Sequence, residues 1–410
     1  MSDPYESDRA EPAAVGAPRH RMSRLERTRA RRRHTRRRIV AGAAVAVLAA
    51  VVVAVIFLGT SIFDGGSDYS GDGKDDIVIR VHDGDSTTQI GQTLRDRNVV
   101  ANVKSFVDAS KDNASISAIQ PGYYKMRTEM SPSAAVQRLA DPGTRVGKLV
   151  IPEGRQLDDV KAVGTDKTTE GIFTLISDAS CVELNGQRKC VAADDLRRAA
   201  EQAEPSALNV PDWAVKPIAA LGNNHRRLEG LIAPGAWNVD PSGSAQRILA
   251  TLVAESADHY VEGGLLDTAK AMNMSPYEIL IVGSLVQREA KPNDFARVAR
   301  VIYNRLDAPQ HLEFDSTVNY PLDRQEVATT DADRAQITPW NTYASGGLPA
   351  TPICSPGDEA LAAAERPDPG DWLYFVTVNM DGTTLFTKDY QQHLANIELA
   401  RGNGVLDSAR

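Results

Sequence analysis

The sequence is short of the features that announce metal or nucleotide chemistry. HExxH is absent, and seven histidines are scattered through 410 residues without ligand spacing, so no metal is implied. There is no phosphate-cradling glycine loop and no Ser-His-Asp signature, and no cofactor is implied. Cysteine is scarce, with three residues, and none follows the first apolar run in a place to carry a lipid. Long apolar runs are scarcer still. Ile39 to Phe63, 25 residues without a charge, is the only one.

At about 1.5 Å per residue that run reaches roughly 37 Å, enough to cross a hydrocarbon layer of about 30 Å. A secretory signal has a shorter apolar core followed by a small-residue cleavage site, so an uncleaved anchor is the better reading. The overall charge of −8 hides a split. Residues 1–38 hold twelve Arg against five acids, and everything after them holds 34 basic against 49 acidic residues. Arginines ending where the membrane begins place the N-terminus in the cytoplasm and the rest outside, in a single pass through the cell membrane. A basic tail can also be a nucleic-acid arm. Beside an apolar span, attraction to anionic lipid and control of topology is the simpler role, and no nucleic-acid partner is expected.

The remaining cysteines fit an oxidising compartment. Cys181 and Cys190 flank Asn185-Gly186, a type I′ turn pair, which makes 181/190 a non-hydrogen-bonded cross-strand pair with Cα atoms about 4.5 Å apart. That spacing suits a disulfide. Cys354, in TPICSPG, reads as a packed thiol.

The pattern divides the chain into a basic cytoplasmic tail (1–38), an anchor (39–63), a Gly/Asp/Ser linker (64–76), a small α/β subdomain (77–147) and a large mixed domain (148–410). Within the last, 161–222 reads as a helical insertion around the cystine hairpin. IVIRV, a turn and a helix at Thr88–Leu94 open the small subdomain, and LVIPEG followed by RQLDDVKAV repeats that strand–turn–helix layout weakly. The class expected is α+β, with a transmembrane helix in front.

Ser275, Pro276 and Glu278 form a strong helix start, and ILIVGSLVQREA continues from it. Glu289 then shares a face with Val282, Leu285 and Val286. A carboxyl on an apolar face is desolvated, holds its proton toward neutral pH and suits a general acid. The plain alternative is a helix-end Glu paired with Arg288 or Arg297. Two stretches add to the case: Val301–Leu306 with Phe314–Tyr320, and Thr338–Tyr343 with Gly347–Ile353. Both read as loops rich in amide, hydroxyl and aromatic side chains, which bind sugar rings and equally serve as buried turn residues.

The ordered motifs IPEG, LEGLIAPGAW, SLVQREA, VIYNRL, FDSTVNY, TPWNTYASGGLPATPI, DWLYFV and FTKDYQQH resemble the YceG-like family of membrane-anchored endolytic murein transglycosylases, over Ile77 to His393. The resemblance implies a LysM-like subdomain at 77–147 and a catalytic domain with a lysozyme-like active site. It maps the catalytic acid onto Glu289, and it puts Gln287 where the family has another acid, which removes a rival carboxylate. LEGLIAPGAW and FDSTVNY depart from the family's LEGYLFPDTY and TDPTVIY. The implied reaction cleaves the MurNAc–GlcNAc β-1,4 bond of nascent glycan without water, leaving 1,6-anhydro-MurNAc ends and limiting strand length. Asp315, Thr317, Asn341, Tyr343, Asn304 and Glu229 are candidate substrate contacts. The implied partners are peptidoglycan strands, the lipid bilayer through 39–63, and the peptidoglycan synthases of elongation and division. The competing readings are a non-catalytic peptidoglycan-binding or division scaffold of the same fold, and a hydrolysing muramidase.

Overall fold

The computed structural model of the protein describes residues 67–405, except 112, 114, 115, 117, 118, 162–166 and 323–328. The basic tail and the apolar run Ile39–Phe63 lie outside the described residues. Among the described residues no helix is long and apolar enough to cross a membrane.

The expected linker, 64–76, is tied down over its second half. Ser131 N–H donates to Gly71 C=O, Lys74 N–H to Thr128 C=O and Thr128 N–H to Asp75 C=O, each within 2.9 Å. These bonds lead into β1 (Asp76–Val81), which is followed by α1 (Thr87–Asp96), α2 (Val103–Ser110) and β2 (Gly122–Arg127). Ser86 caps α1 through a capping box with Gln89, and Asn102 caps α2, so both helices start where their sequences supply an oxygen for orphan amides. β1 and β2 pair antiparallel, and after α3 (Pro132–Ala140) the short β3 (Arg145–Val146) joins the far edge of β2. Ile79, Leu94, Phe106, Tyr124, Met126 and Leu139 fill the core under this sheet.

β4 (Lys148–Ile151) leaves that sheet and pairs with β9 (Gly235–Asn238), across more than eighty residues of chain. Here the weak internal repeat fails. RQLDDVK forms no helix: residues 155–159 are irregular, and Val160–Lys161 is β5, paired with β6 (Thr168–Thr169). The backbone groups a helix would need are used elsewhere. Gln156 and Leu157 carbonyls accept from Ile172 and Phe173, and Leu157 N–H donates to the Glu229 carboxyl.

The insertion comprises α4 (Ile172–Ala179), the hairpin β7 (Val182–Leu184) and β8 (Gln187–Lys189), α5 (Ala193–Gln202) and α6 (Asp212–Ala220). Asn185 and Gly186 both take positive φ, Leu184 pairs with Gln187, and Cys181 is bonded to Cys190 with Cα atoms 4.1 Å apart. The turn docks on β1: Asp76 N–H donates to Asn185 Oδ1 at 2.7 Å, and Asn185 N–H donates to Asp76 Oδ2 at 2.9 Å.

Beyond β9 the chain is mainly helical: α7 (Ala245–Glu262), α8 (Leu265–Met272), α9 (Pro276–Glu289), α10 (Phe295–Asp307), α11 (Asp315–Asn319), α12 (Asp331–Arg334) and α13 (Asp358–Glu365). The hairpin β10 (Tyr374–Thr377) and β11 (Thr384–Thr387) and helix α14 (Tyr390–Gly402) close it. Short antiparallel pairs and segregated helices make the architecture α+β. VIYNRL lies inside α10 and DSTVN forms α11, so these two stretches are helices and not the loops their polar content suggests.

Candidate active site

Helix α9 is the axis of the large core. Ser275 Oγ accepts from Glu278 N–H, the Glu278 carboxylate accepts from Ser275 N–H, and Pro276 supplies the first turn. Tyr277 and the unbroken stretch Ile279 to Val286 are buried, so the helix is enclosed on all sides. Its last turn emerges with a different task for each residue. Gln287 Oε1 accepts from Gly357 N–H at 2.9 Å, Arg288 is exposed, and Glu289, the final residue, is half-buried.

Glu289 has its pKa raised to about 7. Burial is the largest cause; the charge of Asp315 adds to it, while the hydroxyl and N–H of Ser316 and the Arg288 guanidinium pull the other way. Its place at a helix C-terminus, the negative end of the dipole, works in the same direction as burial. The helix-end ion pair with Arg297 is not formed. Arg297 pairs with Asp294 and lies over the Phe386 ring, 4.5 Å from its centroid.

Asp315 and Ser316 come from α11. Asp315 accepts from Thr329 Oγ1 at 2.6 Å, from the Tyr343 hydroxyl at 2.8 Å and from Arg334 at 3.3 Å, and Arg334 also stacks on the Tyr343 ring. α11 is clasped to the TPWNTY segment underneath: Thr317 and Thr342 hydroxyls meet at 2.9 Å, Thr342 N–H donates to Thr317 Oγ1 and Phe314 N–H to Thr342 Oγ1. The structure therefore brings Glu289, Asp315, Ser316 and Tyr343 together.

Residues 79–399 of this chain match the YceG-like family. The chain belongs to the YceG-like family. Among its relatives, a Bacillus subtilis (strain 168) protein named endolytic murein transglycosylase is 26% identical over 325 residues, 78% of this chain and 84% of that protein. A Streptococcus pneumoniae (strain D39) protein of the same name is 23% identical over 343 residues, again 78% of this chain but 58% of the pneumococcal protein. The crystal structure of a putative YceG-like protein from Listeria monocytogenes has 26% identity, a TM-score of 0.47, and covers 79% of this chain and 99% of its own.

The other sequence-derived candidates of this YceG-like chain spend their polar groups on the protein itself. Thr317 is 0% and Asn341 1% exposed. The Asn341 amide donates to the carbonyls of Arg334 and Gln336, and its Oδ1 accepts from Tyr343 N–H, so it braces the loop that carries Tyr343. Asn304, on α10, donates to the carbonyls of Gly370 and Trp372 and fastens the DWLYF segment. Glu229 is 1% exposed, between Leu157 N–H and the Tyr320 hydroxyl, and has almost no surface to offer a ligand. Sequence reasoning passed over Ser316, Thr329 and Arg334. Ser316 had a signal, its position beside Asp315 in FDSTVNY. Arg334 had none, since only the fold brings α12 to Asp315.

Among the described residues, no group of three or more His, Cys, Asp or Glu is arranged to hold a metal ion. Cys354 is buried, its thiol donates to Ser284 C=O, and burial raises its pKa.

Proposed function

We propose that this YceG-like protein is an endolytic lytic transglycosylase that cleaves the MurNAc–GlcNAc β-1,4 bond of nascent peptidoglycan. The observation that carries the reading is Glu289: one carboxyl at the end of a buried helix, its proton affinity raised to near neutrality, opposite Asp315 and Ser316. The names of the bacillary and pneumococcal relatives support the same reading.

Glu289 first donates its proton to the glycosidic oxygen as the C1–O bond breaks, and the GlcNAc hydroxyl leaves. Positive charge develops at C1 and is shared by the substrate's own N-acetyl oxygen. The Glu289 carboxylate then takes the proton of the muramic C6 hydroxyl as O6 bonds to C1. Glu289 ends protonated, no water is consumed, and the product carries a 1,6-anhydro end. The arrangement is a lysozyme-like site with one acid–base residue. Asp315 has three donors already directed at it, which supports a fixed charge that stabilises the cationic centre over a base that activates water. In this reading Asn341, Thr317 and Asn304 serve substrate binding through the loops they brace, and Tyr343 faces the sugar.

The β1–α1–α2–β2 order supports a LysM-like module over 77–147. The arginine-rich tail and Ile39–Phe63 support a single-pass anchor in the cell membrane with a cytoplasmic N-terminus. Anchoring confines the site to strands still close to the membrane, where synthases are the natural partners.

Glu289→Gln tests the assignment. The full-length protein in detergent is given un-crosslinked glycan, and soluble fragments are measured by chromatography. The wild type releases anhydro-ended fragments and the variant none; equal release by both contradicts the proposal.

A further inference from the structure

Glu229 is enclosed in the core, 1% exposed. Its Oε2 accepts two hydrogen bonds, from Leu157 N–H at 3.2 Å and from the Tyr320 hydroxyl at 2.8 Å. Its Oε1 is buried without a partner, as is the hydroxyl of Tyr277 on α9. One buried carboxyl thus joins the segment after IPEG, the LEG motif and the end of FDSTVNY.

The link does not stop at Tyr320. Tyr320 caps α11, and its N–H donates to the carbonyl of Ser316 at 3.0 Å. Its ring meets Trp340 edge-on at 5.2 Å and lies under the Arg226 guanidinium, so the hydroxyl has one direction in which to point. Moving Glu229 moves Tyr320, and Tyr320 is bonded to the residue that faces Glu289.

We propose that Glu229 is a positioning residue: acting through Tyr320, it fixes the short helix that presents Asp315 and Ser316 to Glu289. This rests on the reading of Glu289 as the acid–base residue. Glu229 performs the task as the neutral acid. Oε2 receives both donors, as the carbonyl oxygen of a neutral acid can, and Oε1 is buried. Burial raises the pKa to about 8, the charge of Asp158 adds to it, and Tyr320, Leu157 N–H and Arg226 lower it; Tyr277 and Cys354 are the other titratable groups that feel it. Asp158 remains ionised. Burial opposes its charge, but His225, Arg197 and Arg226 outweigh burial and hold it at about 2.

The test uses the full-length protein in detergent with Glu229→Gln and Tyr320→Phe. Gln keeps a neutral acceptor for both donors; Phe keeps the ring and removes the hydroxyl. In the wild type both Glu289 and Glu229 have raised pKa values, so the alkaline limb of kcat falls with the slope of two protons. In Glu229→Gln the limb has the slope of one proton throughout, with kcat at pH 6 within roughly threefold of wild type. Tyr320→Phe lowers kcat roughly tenfold or more, the scale of one lost hydrogen bond, and leaves KM unchanged. A Glu229→Gln profile with the wild-type limb, or Tyr320→Phe with wild-type kcat, overturns the proposal.

Thermal melts separate this from the activity itself. The raised pKa of Glu229 stabilises the fold below its unfolded value, and that stability is lost as pH rises toward about 8. The wild type therefore loses more melting temperature between pH 5 and pH 8 than Glu229→Gln does. Equal losses overturn the proposal whether or not product is formed, whereas a wild type that melts as expected but makes no product contradicts only the proposed function.

Discussion

The Tyr343 hydroxyl donates to Asp315 Oδ1 at 2.8 Å, and this bond joins the two segments that enclose Glu289. Tyr343 arrives on a loop braced by Asn341, Asp315 on a five-residue helix clasped by Thr317 and Thr342. A hydrogen bond to a charged acceptor contributes about 1.5–3 kcal/mol, so Tyr343→Phe lowers kcat/KM by roughly ten- to a hundredfold with little change in melting temperature. Steady-state fragment release beside a thermal melt checks it.

The charge of Asp315 raises the proton affinity of Glu289, and that of Arg288 lowers it. Asp315→Asn therefore moves the alkaline limb of activity, set near pH 7, to lower pH, and Arg288→Gln moves it to higher pH. Opposite displacements in the two profiles are the expected result; displacement in the same direction is inconsistent with this electrostatic account.

The hairpin of the insertion is both closed and docked. Cys181–Cys190 closes a loop of about ten residues, for which chain entropy gives roughly 2.5 kcal/mol. Replacing both cysteines with serine lowers the melting temperature and leaves the pH optimum in place, because Asp315, Arg288 and Ser316, not the hairpin, act on the Glu289 pKa. Asn185→Ala adds a separate loss of about 1–2 kcal/mol, from positive φ and the broken bonds to Asp76.

Gly230, in the LEG motif, has φ of +76°, and a Cβ there meets the Pro352 ring at 2.5 Å. Gly230→Ala therefore costs about 2–4 kcal/mol, from backbone strain and overpacking together. Denaturant titration of the variant against wild type measures it.

Much of this was legible in the sequence, where the determinants are local. Ser275, Pro276 and Glu278 start α9, and its apolar run carries it to Glu289 within one stretch of chain. Asn185-Gly186 sets the register that brings Cys181 opposite Cys190. What sequence missed depends on partners far along the chain. Leu157 has helical spacing, but its N–H goes to Glu229, and β4 finds its mate in β9. Thr317, Asn341 and Glu229 have the polar groups of a sugar site, yet the fold turns them inward. Their type reveals that they hydrogen-bond, and only the packing decides with what.

The central claim is that Glu289 alone moves both protons and that no water enters the product. Digesting un-crosslinked glycan in heavy-oxygen water, with mass spectrometry of the fragments, tests it most directly. The account predicts wild-type fragments one water lighter than hydrolysis products, with no heavy oxygen at the new muramic end, and no fragments from Glu289→Gln. Heavy oxygen at that end, or the same fragments from the variant, would contradict it.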